Sequence, residues 1–283
     1  MKFFTKKSFA FLMAILMMFT LVACGGDKKE ETSAKTETVN TDGELVVGVT
    51  SFADTLEPTE QYFSWVITRY GVGENLVRFD EHGDLQASLA EEWKVSDDKL
   101  TWEFKIRDGV KFSNGNPLTA EAVKSSLERT FRKSKRADGF FKPTSIVADG
   151  QTLKISTEKP VAILPQCLAD PLFLIIDTSD NVEEYTTNAP ICTGPYVFKE
   201  FVPTEYAIVE RNENYWGGKP GLAKVTFKCI NDQSTRALSL KSGEIGVAYN
   251  LKIENKADFE GQDDINIQEL KSLRSTYAFM NQH

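Results

Sequence analysis

The chain has 283 residues and a formal net charge of −8, with 41 acidic against 33 basic side chains. Acidity of this kind, with no basic run beyond the first residues, argues against nucleic acid as a partner. Two histidines give little material for histidine-based catalysis or for a site holding a bare metal ion.

The N-terminus sets the compartment. Lys2, Lys6 and Lys7 precede an apolar run over residues 9–22. That run is shorter than the roughly 20 residues a membrane-spanning helix needs, and it suits the apolar region of an export signal. It closes on Leu21-Val22-Ala23-Cys24 and then Gly25-Gly26, which resembles a bacterial lipoprotein processing site with Cys24 as the acylated first residue. A plain export signal with an incidental cysteine is the alternative. Residues 25–42 hold almost nothing apolar, so they predict a tether that cannot offset the entropy of ordering. The expected division is 1–23 signal peptide, 24–43 lipidated cysteine and tether, and 44–283 folded. The protein would then be exported and held at the outer face of the cell membrane, or in the periplasmic space, through Cys24. Losing three leader lysines makes the mature chain about three units more acidic. About 240 residues remain, enough for a sizeable core or two subdomains.

With Cys24 committed to lipid, Cys167, Cys192 and Cys229 are an odd set, so at most one bridge forms among them. A Cys167–Cys192 bridge is permitted by export but not required. Cys229 alternates with Val225 and Phe227 and reads as a core residue.

In chain order, the β-branched run 44–49 predicts a strand. Residues 59–76 predict a helix weakened by Gly71 and Gly73. Trp102, Phe104 and Ile106 alternate with charged residues ahead of an Asp108-Gly109 turn. Thr119 then caps a helix whose buried face carries Val123, Leu127 and Phe131. A hairpin follows over 145–157, turning at Asp149-Gly150. Strands are expected at 173–177, 196–201, 206–210, 222–230 and 245–249, and a helix over 234–241 that stops at Gly243. The pattern is α/β with short mixed strands and no internal repeat.

Several segments together resemble the peptide- and nickel-binding family of solute-binding proteins from ABC importers, bacterial extracellular solute-binding family 5. They are TWEFKIRDGVKFSNGNPLTAEAVKSSLER over 101–129, ICTGPY over 191–196, VERNENYWGGKP over 209–220 and DQSTRALSLKSGEI over 232–245. The likeness covers 44–282. It implies a periplasmic-binding-protein-like α/β fold of type II, whose two lobes close around a ligand and deliver it to ABC permease subunits. Family members are nearly twice this length. SLRSTYAFMNQ over 272–282 resembles the strand that crosses into the second lobe. The expectation is therefore a first lobe with an inserted α/β subdomain over about 56–180, the start of a crossover at 272–283, and no second lobe. Half a cleft leaves a ligand wet, so weak or absent binding is expected of this chain alone.

The resemblance also points to ligand contacts. Tyr62, Phe63 and Trp65 lie where the family often places ligand-facing side chains, although a helix could equally bury these aromatics. Arg69, four residues beyond Trp65, would reach the same side of a helix and could take a carboxylate bidentately, or lie on a solvated surface. Arg136, with Phe140 and Phe141, forms a second group. In nickel-chelate binders of the family, a cation and an aromatic in this region hold the chelate's carboxylates. Thr193-Gly194-Pro195, Tyr215 and Trp216 read as structural.

No cofactor is expected, and no His or Cys cluster is present to hold a bare ion. The ligand is left open between an oligopeptide and a metal chelate. An enzyme is disfavoured because His82 sits in an acidic turn and no nucleophile or phosphate-loop motif occurs. A surface interaction or chaperone-like protein on the same lobe would have the same sequence, as would an inactive truncated gene product.

Overall fold

The structure, a computed structural model, describes residues 42–50, 53–262 and 264–269. The expected signal peptide over 1–23, Cys24, most of the expected tether and the strand expected over 272–282 lie outside the described residues.

The first strand, β1 (Gly43–Val49), forms where predicted. The segment expected to be one helix over 59–76 is helical only as α1 (Ser64–Arg69). Gln61 before it and Gly71 after it both take positive φ, 41° and 73°, and neither conformation continues a right-handed helix. A small hairpin follows, β2 (Val77–Phe79) with β3 (Leu85–Ala87). Next come β4 (Ala90–Val95), β5 (Thr101–Ile106) and α2 (Ala120–Lys133). The Thr119 side chain accepts the Ala122 N–H at 3.1 Å, so the predicted cap is in place. Strands β6 (Pro143–Asp149) and β7 (Thr152–Thr157) turn at Asp149-Gly150, with Gly150 at φ 58°.

These strands make an antiparallel sheet in the order β4-β5-β7-β6. Phe104, Ile106, Leu153 and Ile155 are buried in one core with Val123 and Leu127 of α2. Charged ladders such as Lys94–Glu103 at 3.1 Å and Lys154–Glu103 at 3.5 Å run across this sheet.

The chain continues through α3 (Leu164–Leu168) and α4 (Val182–Tyr185). It then rejoins β1 with β8 (Tyr196–Val202), β9 (Tyr206–Arg211), β10 (Leu222–Cys229), α5 (Gln233–Lys241) and β11 (Val247–Ala248). The order is β11-β1-β10-β9-β8, with β1 parallel to both its neighbours and the β8-β9-β10 meander antiparallel. The strand expected at 245–249 is thus only two residues long. A second core lies against this sheet, where Tyr70 stacks on Phe227 with ring centroids 3.6 Å apart.

Residues 173–177 are not a strand. Pro171–Phe173 makes a 3-10 turn and the chain then runs extended without a ladder partner. The Ile175 N–H donates to the Glu74 carbonyl at 2.9 Å and the Asp177 N–H to the Ile191 carbonyl at 2.8 Å. The alternation has a different cause. Ile175 enters the first core while Leu174 and Ile176 enter the second, so the segment is a wedge shared by both.

Cysteine behaviour also departs from expectation. Cys167 belongs to the first core and Cys192 to the second, and both are free thiols, so the permitted bridge does not form. Cys229 is only half-buried at the end of β10, with its thiol 3.5 Å from Asn231 Oδ1, rather than in a core.

Candidate functional site

Two chain segments far apart in sequence meet beside the first core. One is the turn leading into α1. Leu56 is buried, and its N–H donates to the Thr187 carbonyl at 2.7 Å. Glu57, 2% exposed, follows and is gripped by Arg129 of α2, 1% exposed. Arg129 Nη1 donates to Glu57 Oε1 at 2.9 Å and Nη2 to Oε2 at 2.6 Å, a two-pronged pairing. Thr59 closes the turn with its N–H and hydroxyl on Glu57 Oε1 at 3.1 and 2.6 Å. The chain then passes through Gln61 in its left-handed conformation and presents Tyr62 and Trp65, 65% and 38% exposed.

The other segment follows α2. The helix ends at Ser134, and a 3-10 turn over Ala137–Gly139, with Ala137 fully buried, sets the direction of its flanking side chains. Arg136 precedes that turn. Its guanidinium lies 4.1 Å above the Tyr62 ring centroid, and Nη1 donates to the Gln61 carbonyl. Arg69 lies 5.5 Å from the Trp65 ring centroid in the same way. Among the described residues neither Arg69 nor Arg136 forms a carboxylate ion pair. An arginine over an aromatic face can turn the edge of its fork to a carboxylate, although at Arg136 one donor of that fork, Nη1, is already given to the Gln61 carbonyl.

The structure therefore brings Tyr62, Trp65, Arg69 and Arg136 into two cation–aromatic pairs. Phe63 is half-buried ahead of α1. Phe141, 4% exposed, and half-buried Phe140 turn into the first core instead. There they pack on Phe173 with centroids 5.5 and 5.3 Å apart. His82 is remote in character, a 76% exposed side chain beside Glu81.

Sequence reasoning missed Glu57, Arg129 and Gln61. Arg129 stands two places after Leu127, and an arginine so close to an apolar stripe was the available signal for a buried partner.

A second polar centre joins the two cores. Glu74 accepts Thr193 Oγ1 at 2.8 Å and Trp216 Nε1 at 2.9 Å, while Arg107 lies 4.6 Å over the Trp216 ring. Burial pushes the Glu74 carboxyl up, and these donors offset that only in part. A Cβ on Gly194 would stand 2.5 Å from the Gly71 and Val72 carbonyl oxygens, so only glycine fits there. Thr193, Tyr215 and Trp216 thus shape the junction. Among the described residues no group of three or more His, Cys, Asp or Glu side chains could hold a metal ion, and no helix is long and apolar enough to cross a membrane.

Residues 84–283 match the family model for bacterial extracellular solute-binding proteins, family 5 Middle. The chain belongs to this family. It is 31% identical over 253 residues to the probable D,D-dipeptide-binding periplasmic protein DdpA of Escherichia coli K12, covering 84% of this chain and 49% of the relative. Among solved structures, a nickel ABC transporter protein from Bacillus halodurans superimposes with a TM-score of 0.74 at 33% identity, over 78% of this chain and 46% of the other. NikA from Staphylococcus aureus, in complex with Ni(L-His)2, gives 0.73 at 28% identity over the same shares. The chain spans about half the length, or less, of the curated relatives it matches. Its mixed α/β fold is that of family 5 periplasmic binding proteins.

Proposed function

We propose that this chain is the ligand-capturing component of an ABC importer, anchored outside the cell membrane by a lipid on Cys24, and that it hands its solute to membrane permease subunits. It is not an enzyme in this reading. Residues 44–283 would supply one lobe of a two-lobed cleft, with residues of about 56–180 as its inserted subdomain. The solute is an oligopeptide or a metal chelate that presents carboxylates.

The observation that carries the proposal is a pair of arginines that, among the described residues, form no carboxylate ion pair, Arg136 over exposed Tyr62 and Arg69 over exposed Trp65. Similarity to a dipeptide binder and to a nickel–histidine complex supports both solute classes. In each class the carboxylate is the common handle and the aromatic face is the common platform. A metal would arrive already wrapped in its chelator.

Calorimetric titration of the full chain at millimolar concentrations, where the weak binding expected of one lobe can be read, with a nickel(II)–L-histidine complex and separately with a tetrapeptide, tests the reading. No binding of either ligand overturns it. Arg136→Ala should weaken whichever ligand binds by about tenfold or more, the scale of a lost charge-assisted hydrogen bond. Equal affinity in wild type, Arg69→Ala and Arg136→Ala would remove the site from consideration.

A further inference from the structure

We propose that the buried Glu57–Arg129 ion pair is a positioning device that holds Tyr62 under Arg136. The inference rests on the ligand-site reading above, and its test separates the two.

The geometry is a closed circuit. Tyr62 lies five residues beyond Glu57, and Arg136 lies seven residues beyond Arg129. The circuit is shut at one end by the two-pronged ion pair at 2.6 and 2.9 Å and at the other by Arg136 over Tyr62 at 4.1 Å. Both arms are stiff. One is the last turn of α2 and the 3-10 turn after it. The other is the Glu57–Thr59 turn, continued by the Phe63 N–H on the Glu60 carbonyl at 3.2 Å.

Gln61 shows that this arm is held in place. It is a non-glycine residue at φ 41° whose carbonyl accepts from Arg136. Such a conformation persists only where the surroundings over-determine it.

Stability alone does not explain the ion pair. A buried pair contributes little more than well-packed apolar side chains of the same volume, whereas a planar fork on a carboxylate adds a fixed direction. The helix is already seated by Val123 and Leu127, both fully buried. The surrounding groups also leave room to alter Glu57 without stranding a charge. Glu183, whose side chain is 58% exposed, accepts Arg129 Nε at 3.1 Å and also pairs with Lys133. Thr186 Oγ1 lies 3.5 Å from Arg129 Nη2.

The test uses the full chain as wild type, Glu57→Gln, the double variant Glu57→Met with Arg129→Met, and Arg136→Ala. Two quantities are read. The first is the NMR ring-current shift of the Arg136 δ-methylene protons, next to the guanidinium that lies over the Tyr62 ring, which needs no ligand. The second is affinity for the nickel(II)–L-histidine complex and for the tetrapeptide. The double variant supplies apolar packing, so it keeps the fold if Glu57→Gln fails to. Positioning predicts cooperative melting, loss of the ring-current shift and affinity about tenfold weaker, approaching Arg136→Ala. A ring-current shift retained in folded variants overturns the proposal, as does unchanged affinity where Arg136→Ala weakens it. If Arg136→Ala itself has no effect on affinity, the ligand-site reading fails, and the ring-current shift still decides the positioning claim.

Discussion

At the scale of single side chains, two buried glutamates titrate in opposite directions, and the difference lies in their donors. Burial alone would push the Glu57 carboxyl up, but the bonds from Arg129 and Thr59 outweigh it and hold the group at about 2. Its stabilising contribution is therefore present above the ordinary value of 4.5 and is lost as pH falls through about 2. Glu57→Gln should flatten the acid limb in that window and remove up to about 3 kcal/mol at neutral pH, read from urea melts across pH. Glu74 has hydrogen-bond donors but, among the described residues, no cation paired directly with it, and its carboxyl is raised by burial. The sign reverses. Its folded-state advantage is complete below the ordinary carboxyl value and is lost as pH rises through the raised one. Glu74→Gln keeps an acceptor for Thr193 and Trp216, so the same melts should show stability retained or increased at neutral pH, with a flatter pH dependence above the ordinary carboxyl value of 4.5.

Among the elements, α2 matters most to the site because it carries Arg129 and leads to Arg136. Its first turn depends on Thr119, whose hydroxyl is the acceptor for the Ala122 N–H. Thr119→Ala should cost about 1 kcal/mol and Thr119→Ser much less, measured by chemical denaturation. This helix and the 145–157 hairpin were legible because a cap, a four-residue period and an Asp-Gly turn are local signals. The 59–76 helix and the 173–177 strand were not. Gln61 takes its left-handed turn under a bond from Arg136, and Leu174, Ile175 and Ile176 alternate because two cores compete for them. The candidate site was legible in the same uneven way. Resemblance pointed to Tyr62 and Arg136 as separate candidates, but no local pattern reveals a stack between residues so far apart in the chain. Phe141 illustrates the converse, since an aromatic at a plausible distance from Arg136 gives its surface to the core.

Across the whole molecule, the two cores are joined by a polar seam as well as by the 174–176 wedge. Asp177, 3% exposed, accepts Asn114 Nδ2 and Asn116 Nδ2, each at 2.7 Å, and the Ser179 N–H at 2.9 Å. The 113–116 loop that supplies those amides also reaches the other sheet's connections. The Ser113 N–H donates to the Cys192 carbonyl at 2.9 Å, and Asn214 Nδ2 donates to the Ser113 carbonyl at 3.2 Å. One carboxylate thus anchors a loop that touches both halves. Removing it should affect coupling more than either core. Asp177→Ala leaves donors without their acceptor, a loss of about 2–3 kcal/mol, while the residues of both hydrophobic clusters are unchanged. The expected result is that a single coincident melt, followed by tryptophan fluorescence and far-ultraviolet circular dichroism, divides into two transitions. Trp93, Trp102 and Trp216 pack against the first core, while Trp65 is 38% exposed on α1. The larger part of the fluorescence change should therefore report the half built on the β4-β5-β7-β6 sheet, and the transition seen mainly by circular dichroism should belong to the β8-β9-β10 meander. A single melt that merely shifts to lower temperature would mean that the wedge at Leu174, Ile175 and Ile176 couples the two cores without the seam.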